Sequence, residues 1–174
     1  MEALHAWHEF YLLLGTAGAT LLALLFVAVS LGTGFLNAKD QSGTRTFMSP
    51  VVIHFTSVFF VSAICLVPSH GPVFFAVLIG ATAVLGVVVS IVITVWVVRT
   101  EMTRYVPDYF AYGVLPVTAY LVMLAAGIMI LNEWDYAPEV LAAGLLLLAI
   151  INIRNAWDLT LSMVRRHAGE QSSG

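Results

Sequence analysis

The chain alternates long apolar runs with short polar breaks. Residues 10–36, 51–67, 73–98, 110–131 and 140 to about 164 are built almost wholly from aliphatic, aromatic and small side chains, while charges, prolines and amides gather between them. A helix rises 1.5 Å per residue and a bilayer core is about 30 Å thick, so roughly 20 apolar residues suffice to cross it. The run at 51–67 is the shortest and reads as a tight span or a re-entrant segment. The pattern predicts an all-α integral membrane protein with five transmembrane helices.

The breaks carry their own punctuation. Pro50 suits the first turn of the second helix, Pro68 and Pro72 bracket a turn around His70 and Gly71, and Pro138 suits the start of the last helix. Pro116 falls inside the fourth span and is expected to kink it. Asn37, Asp40, Gln41, Ser42 and Gly43 read as a solvated turn region. From His167 onward the residues are short and polar, so 167–174 is expected to be a disordered tail on a single five-helix domain at 1–166. The spans show no convincing internal repeat, which leaves an inverted-repeat transporter unsupported.

Composition agrees with the pattern. Hydrophobic residues make up 60% of the chain and charged residues 10%, too few polar groups to cover a water-soluble domain of this size. The first apolar run is too long for a signal-peptide core and has no basic residue before it, so it is expected to be retained.

Charge then gives an orientation. Under five spans Lys39, Arg45, Arg99, Arg104, Arg154, Arg165 and Arg166 all fall on or close to one side, and that side is cytoplasmic by the positive-inside rule. The N-terminus faces outward and the C-terminus is cytoplasmic. A four-span reading breaks this agreement for half of the chain. Aromatic residues favour headgroup depth: Trp7, Tyr11, Trp134 and Tyr136 would form an outer belt, and Trp96, Tyr105, Tyr109, Tyr112 and Trp157 an inner one. The cell membrane is the expected location and the lipid bilayer the first partner.

The polar residues of the last span most need explaining. Asn152, Asn155, Asp158 and Ser162 recur at helical spacing, and Arg154 can pair with Asp158 four residues on. Arg154 lies about 24 Å along the axis from Pro138, some 6 Å short of the inner boundary. From there a long side chain can snorkel to water, so one reading is an interfacial anchor. The other joins His54, at similar depth in the second span, to Asn152, Arg154, Asn155 and Asp158 as an inner gate or pH-sensitive switch, because an imidazole changes charge near neutral pH. A histidine satisfied by a neighbouring serine or carbonyl is the plainer account of His54.

The outer side is acidic. Glu2, Glu9, Glu133, Asp135 and Glu139 have no basic neighbour there, and such a rim would concentrate cations; acids also collect on outer loops simply because bases are excluded. His5, His8 and Glu9 form only a weak metal candidate, short of the four ligands of a structural site. Small residues four apart, Gly15, Ala19 and Ala23 in span one and Gly86, Ser90 and Thr94 in span three, mark helix contact faces within one chain or between copies. The fourth span, interrupted only by Thr118 and Tyr120, reads as the lipid-facing helix.

Several classes fall away. Cys65 stands alone in an apolar run, a packed thiol with no disulfide or cysteine cluster to join. A b-type haem within one chain lacks its second histidine at matching depth. There is no phosphate loop, zinc-protease helix or serine elbow, no cofactor is implied, and an enzyme is not expected. Class and a net charge of -3 exclude nucleic acid. What remains is a homo-oligomeric ion channel or transporter-like protein, or a non-transporting accessory or structural subunit of a larger membrane complex. The first lacks a midplane carboxylate; the second has little reason to bury the amides of span five.

Overall fold

In the computed structural model, residues 6–33, 38–68, 71–99 and 113–171 are described, and they fold as five helices with no strand among them. The helices are α1 (His8–Thr33), α2 (Ala38–Cys65), α3 (Pro72–Arg99), α4 (Leu115–Leu131) and α5 (Ala137–Gln171). Three segments are long and apolar enough to cross a membrane: His8–Ala28, Pro72–Val95 and Ala137–Asp158. The apolar part of α2, Pro50–Cys65, and the 17 residues of α4 are shorter.

The bundle is two hairpins and a fifth helix. α1 packs along α2, α3 along α4, and α5 lies against both α4 and α2. Its core runs through Tyr11, Val58, Val61, Ile79, Tyr120, Met123, Leu141, Leu145 and Leu148, all fully buried. Close approach depends on absent side chains. A Cβ on Gly86 would run into the ring of Tyr120, and one on Gly144 would sit 2.9 Å from Met123 Cγ. Gly15 brings α1 onto α2 at Ser62, 3.1 Å from where its Cβ would stand.

The helix boundaries correct four expectations. The region at 38–49 is helical rather than a turn, so Pro50 lies inside α2 instead of opening it. Ala, Lys, Gln, Arg and Met in this stretch favour helix, and the packed apolar half downstream holds Pro50 within it. Pro116 sits in the first turn of α4, directly after a π-helical turn at 113–114, rather than in the middle of a helix. α4 is not the lipid-facing helix: Pro116, Ala119, Tyr120, Met123, Ala126, Gly127 and Ile130 are buried, because its small residues admit both α3 and α5. α3 is the more exposed, showing Val77, Val84, Val88, Val92 and Val95 outward. Finally, α5 continues past His167 to Gln171, beyond the expected start of the tail. Pro138 does lie in the first turn of α5.

Both ends of the α4–α5 connection are fixed by hydrogen bonds. The Glu133 N–H donates to Ile130 O at 3.0 Å and the Trp134 N–H to Met129 O at 3.0 Å, a Schellman closure of α4. That closure puts Glu133 at φ 55°, a left-handed conformation that glycine adopts without cost and glutamate does not. Nearby, the Tyr11 hydroxyl donates to Pro138 O at 2.9 Å, tying the start of α1 to the start of α5. Tyr11 is therefore a buried strut, not a member of an exposed aromatic belt; Trp134 and Tyr136 are exposed.

Candidate functional site

Between α2 and α4 the apolar core contains a short hydrogen-bonded chain. His54 and Ser57 lie three residues apart on α2, hence on one helical face, and that face meets Tyr120 of α4. Tyr120 comes this close because Gly86 of α3 leaves room for its ring. The Tyr120 hydroxyl donates to Ser57 Oγ at 3.0 Å, and Ser57 donates to Ile53 O at 2.9 Å. The 2.9 Å contact between His54 Nδ1 and the Tyr120 oxygen has the imidazole as donor in one tautomer and as acceptor in the other. The chain links His54 through Tyr120 and Ser57 to the backbone carbonyl of Ile53.

Two of its members are sealed from the surface, and Ser57 borders the space between α2 and α3. His54 is 1% exposed and Tyr120 is 0% exposed. Ser90 of α3 is also buried, its hydroxyl turned to Gly86 O at 2.7 Å. A polar group in such surroundings needs its partners, and here each hydroxyl in the chain and His54 Nδ1 has one. The arrangement can hold a proton position and reverse its polarity, since each member is both donor and acceptor in one tautomer or the other.

The five residues proposed from sequence as an inner cluster separate. Asn152 and Asn155 are buried, and Asn152 Nδ2 donates to Val51 O at 2.7 Å, one turn before His54. The Asn152 Oδ1 atom is buried with no hydrogen-bond partner. Arg154 and Asp158 lie on another face of α5, with Nε to Oδ2 at 3.9 Å and side chains 51% and 46% exposed. Trp157 stands beside them, also exposed. So the structure brings His54 and Asn152 to neighbouring turns of α2, and takes Arg154 and Asp158 away from both. His54 is served by Tyr120 and, through it, Ser57.

The remaining candidates are simply placed. Glu9, Glu133, Asp135 and Glu139 are all exposed at the end of the bundle where α1 and α5 begin and α4 ends. Gly15, Gly86 and Ser90 are used inside the chain, against Ser62, Tyr120 and the Gly86 carbonyl respectively; Ala19 is half-buried and Ala23 is exposed. His8 is exposed in the first turn of α1. Glu2, His5, Arg104, Tyr105, Tyr109 and Tyr112 lie outside the described residues. Cys65 is buried as a free thiol.

Tyr120 and Ser57 are the residues that reading the sequence missed as members of a site. The signals were present: a tyrosine in mid-run, and a serine one turn from the only histidine of an apolar segment. No protein-family model, curated protein or solved structure matches this chain.

Proposed function

We propose that this chain is a multi-pass protein of the cell membrane whose five helices cross with the N-terminus outside and the C-terminus cytoplasmic. Residues 1–166 form one transmembrane domain, and the function is transporter-like movement of protons or of a solute coupled to them. The observation that carries this reading is the buried chain of His54, Tyr120 and Ser57. Ionisable groups inside a membrane bundle are costly and concentrate on ion and proton pathways, and this one is a sequence of exchangeable protons. The exposed acidic end at Glu9, Glu133, Asp135 and Glu139 supports it by concentrating cations outside. Copies that associate would use faces other than the glycine stripes, because Gly15 and Gly86 are spent within the chain.

The test is proton flux into liposomes holding the purified protein, with an internal pH dye, under an imposed potential and at two external pH values. The parent should exceed protein-free liposomes, with His54→Gln and Tyr120→Phe falling to the control. Silence of the parent toward protons, monovalent and divalent cations removes the transport reading. A second reading, a non-transporting accessory subunit of a larger complex, is favoured by one observation. Toward the acidic end from Tyr120 the interior is filled by Ile79, Ala83, Met123, Leu141 and Leu145, all fully buried. Under that reading the protein co-purifies with a partner and stays silent in liposomes.

A further inference from the structure

Ser57 has two roles in the fold. It ends the buried chain from His54, and it lines a cleft of about 350 Å³ between α2 and α3. The cleft exists because these two helices, though consecutive, meet less closely than α3 and α4 do. Its walls are Val52, Ile53, Phe60, Leu78, Ala81 and Leu85, with Thr56, Ser57 and Thr82 as the polar members.

The three hydroxyls are matched in one respect. Thr56 donates to Val52 O at 2.8 Å, Ser57 to Ile53 O at 2.9 Å and Thr82 to Leu78 O at 2.8 Å. Each hydroxyl has one proton, and each has given it to its own helix. What the cleft offers is oxygen lone pairs, so the group it recognises is a donor. Depth restricts the ligand further. Thr56 lies nine residues before the end of α2 and Thr82 ten residues after the start of α3, about 13–15 Å from that end of the bundle. A solute from water would have to cross that distance of apolar wall, whereas one dissolved in the lipid phase enters from the side.

We propose that the α2–α3 cleft binds a lipophilic molecule ending in a hydroxyl, its O–H donated to one of the Thr56, Ser57 and Thr82 oxygens and its apolar body against Phe60, Leu78 and Leu85. The volume lies at the lower end of the ~300–1,000 Å³ usual for ligand pockets, which fits one ring or one chain segment rather than a whole phospholipid. Ordinary acyl chains carry no donor, and that difference is the basis of selection. Ser57 Oγ keeps a second lone pair beside the one that accepts from Tyr120, so a ligand hydroxyl there adjoins the buried chain without displacing it. The inference rests on the five-span reading, which places the cleft within the lipid.

The test is photolabelling in phosphatidylcholine nanodiscs with a diazirine-bearing hexadecanol and, separately, its methyl ether, with the labelled peptides mapped by mass spectrometry. The alcohol should label 52–60 and 78–85 at least five-fold more than the ether, and unlabelled hexadecanol should compete. Ala81→Phe, on an exposed position of the wall, should cut labelling several-fold, and the triple variant Thr56→Val, Ser57→Ala and Thr82→Val should bring the alcohol to the level of the ether. Equal labelling by alcohol and ether overturns the proposal in favour of an acyl chain, as does labelling that Ala81→Phe leaves unchanged. The five-span reading is checked apart from this, by reagent access in whole cells to His8→Cys, Gln41→Cys and Asp135→Cys on a Cys65→Ser background. Positions 8 and 135 should react from outside and 41 should not; any other pattern breaks the topology, whatever the labelling shows.

Discussion

Two apolar grooves flank α3, and they differ in kind. The one shared with α2 holds about 350 Å³ and three hydroxyls, and its wall is the end of a buried hydrogen-bonded chain. The one shared with α4 holds about 210 Å³ and is lined by Val73, Ala76, Val77, Gly80, Leu124, Gly127, Ile128 and Leu131, with no polar side chain. Only the first has hydroxyl groups in its wall. Glycine explains the geometry of the second: Gly127 lies 3.5 Å from Ala76 O by its missing Cβ, so α3 and α4 meet backbone to backbone and the groove is what their small residues leave over. The first is bordered by branched and aromatic side chains, which keep α2 and α3 apart while Ser57 reaches inward.

The comparison breaks most severely at Gly86. Gly86→Val pushes a side chain into the Tyr120 ring, separating α3 from α4 and withdrawing Tyr120 from His54 and Ser57 together. We expect a loss of about 3 kcal/mol, the upper end for overpacking, read by unfolding in mixed micelles. Unchanged stability would mean that the two helices do not approach as described. Tyr120→Phe keeps the ring and removes only the hydroxyl, so it isolates the polar difference between the grooves. Its expected cost is about 1–2 kcal/mol, because His54 Nδ1 loses the hydroxyl it bonds and Ser57 keeps only its bond to Ile53 O. Combined with Ser57→Ala it should cost less than the sum of the two, since both remove one bond; strict additivity would deny the bond. The smallest effect sharpens the other side. Gly80→Ala has space, its Cβ 3.9 Å from Leu124 Cδ1, and should stabilise by about 0.5–1 kcal/mol while leaving alcohol labelling of the α2–α3 cleft intact. Lost labelling would mean the grooves are not independent.

How much of this was legible depends on the kind of pattern a residue belongs to. The helical class followed from run length, and the apolar core of each helix lies within its run. Helix ends were less legible, because a proline can open a helix or sit inside one, and packing decides which: Pro138 opened α5, Pro50 did not open α2. Which face meets which neighbour was not legible at all in runs that are apolar all round. α4 looked the most lipid-like by composition and is instead the helix that α3 and α5 both cover. The site shows the same limit. His54 stood out as an ionisable residue in an apolar run, but its partner is 66 residues away on a helix whose orientation no periodicity marks. Arg154 and Asp158 share a helix with Asn152 and Asn155, yet the turn of α5 sends them outward.

The bond between Tyr11 and Pro138 joins residues 127 positions apart. At roughly 5–20 residues per second, a ribosome needs about 6–25 s to make the second after the first. For that interval the first helix carries a tyrosine whose final acceptor does not yet exist. The clasp therefore closes late: it forms only on a chain long enough to have begun α5.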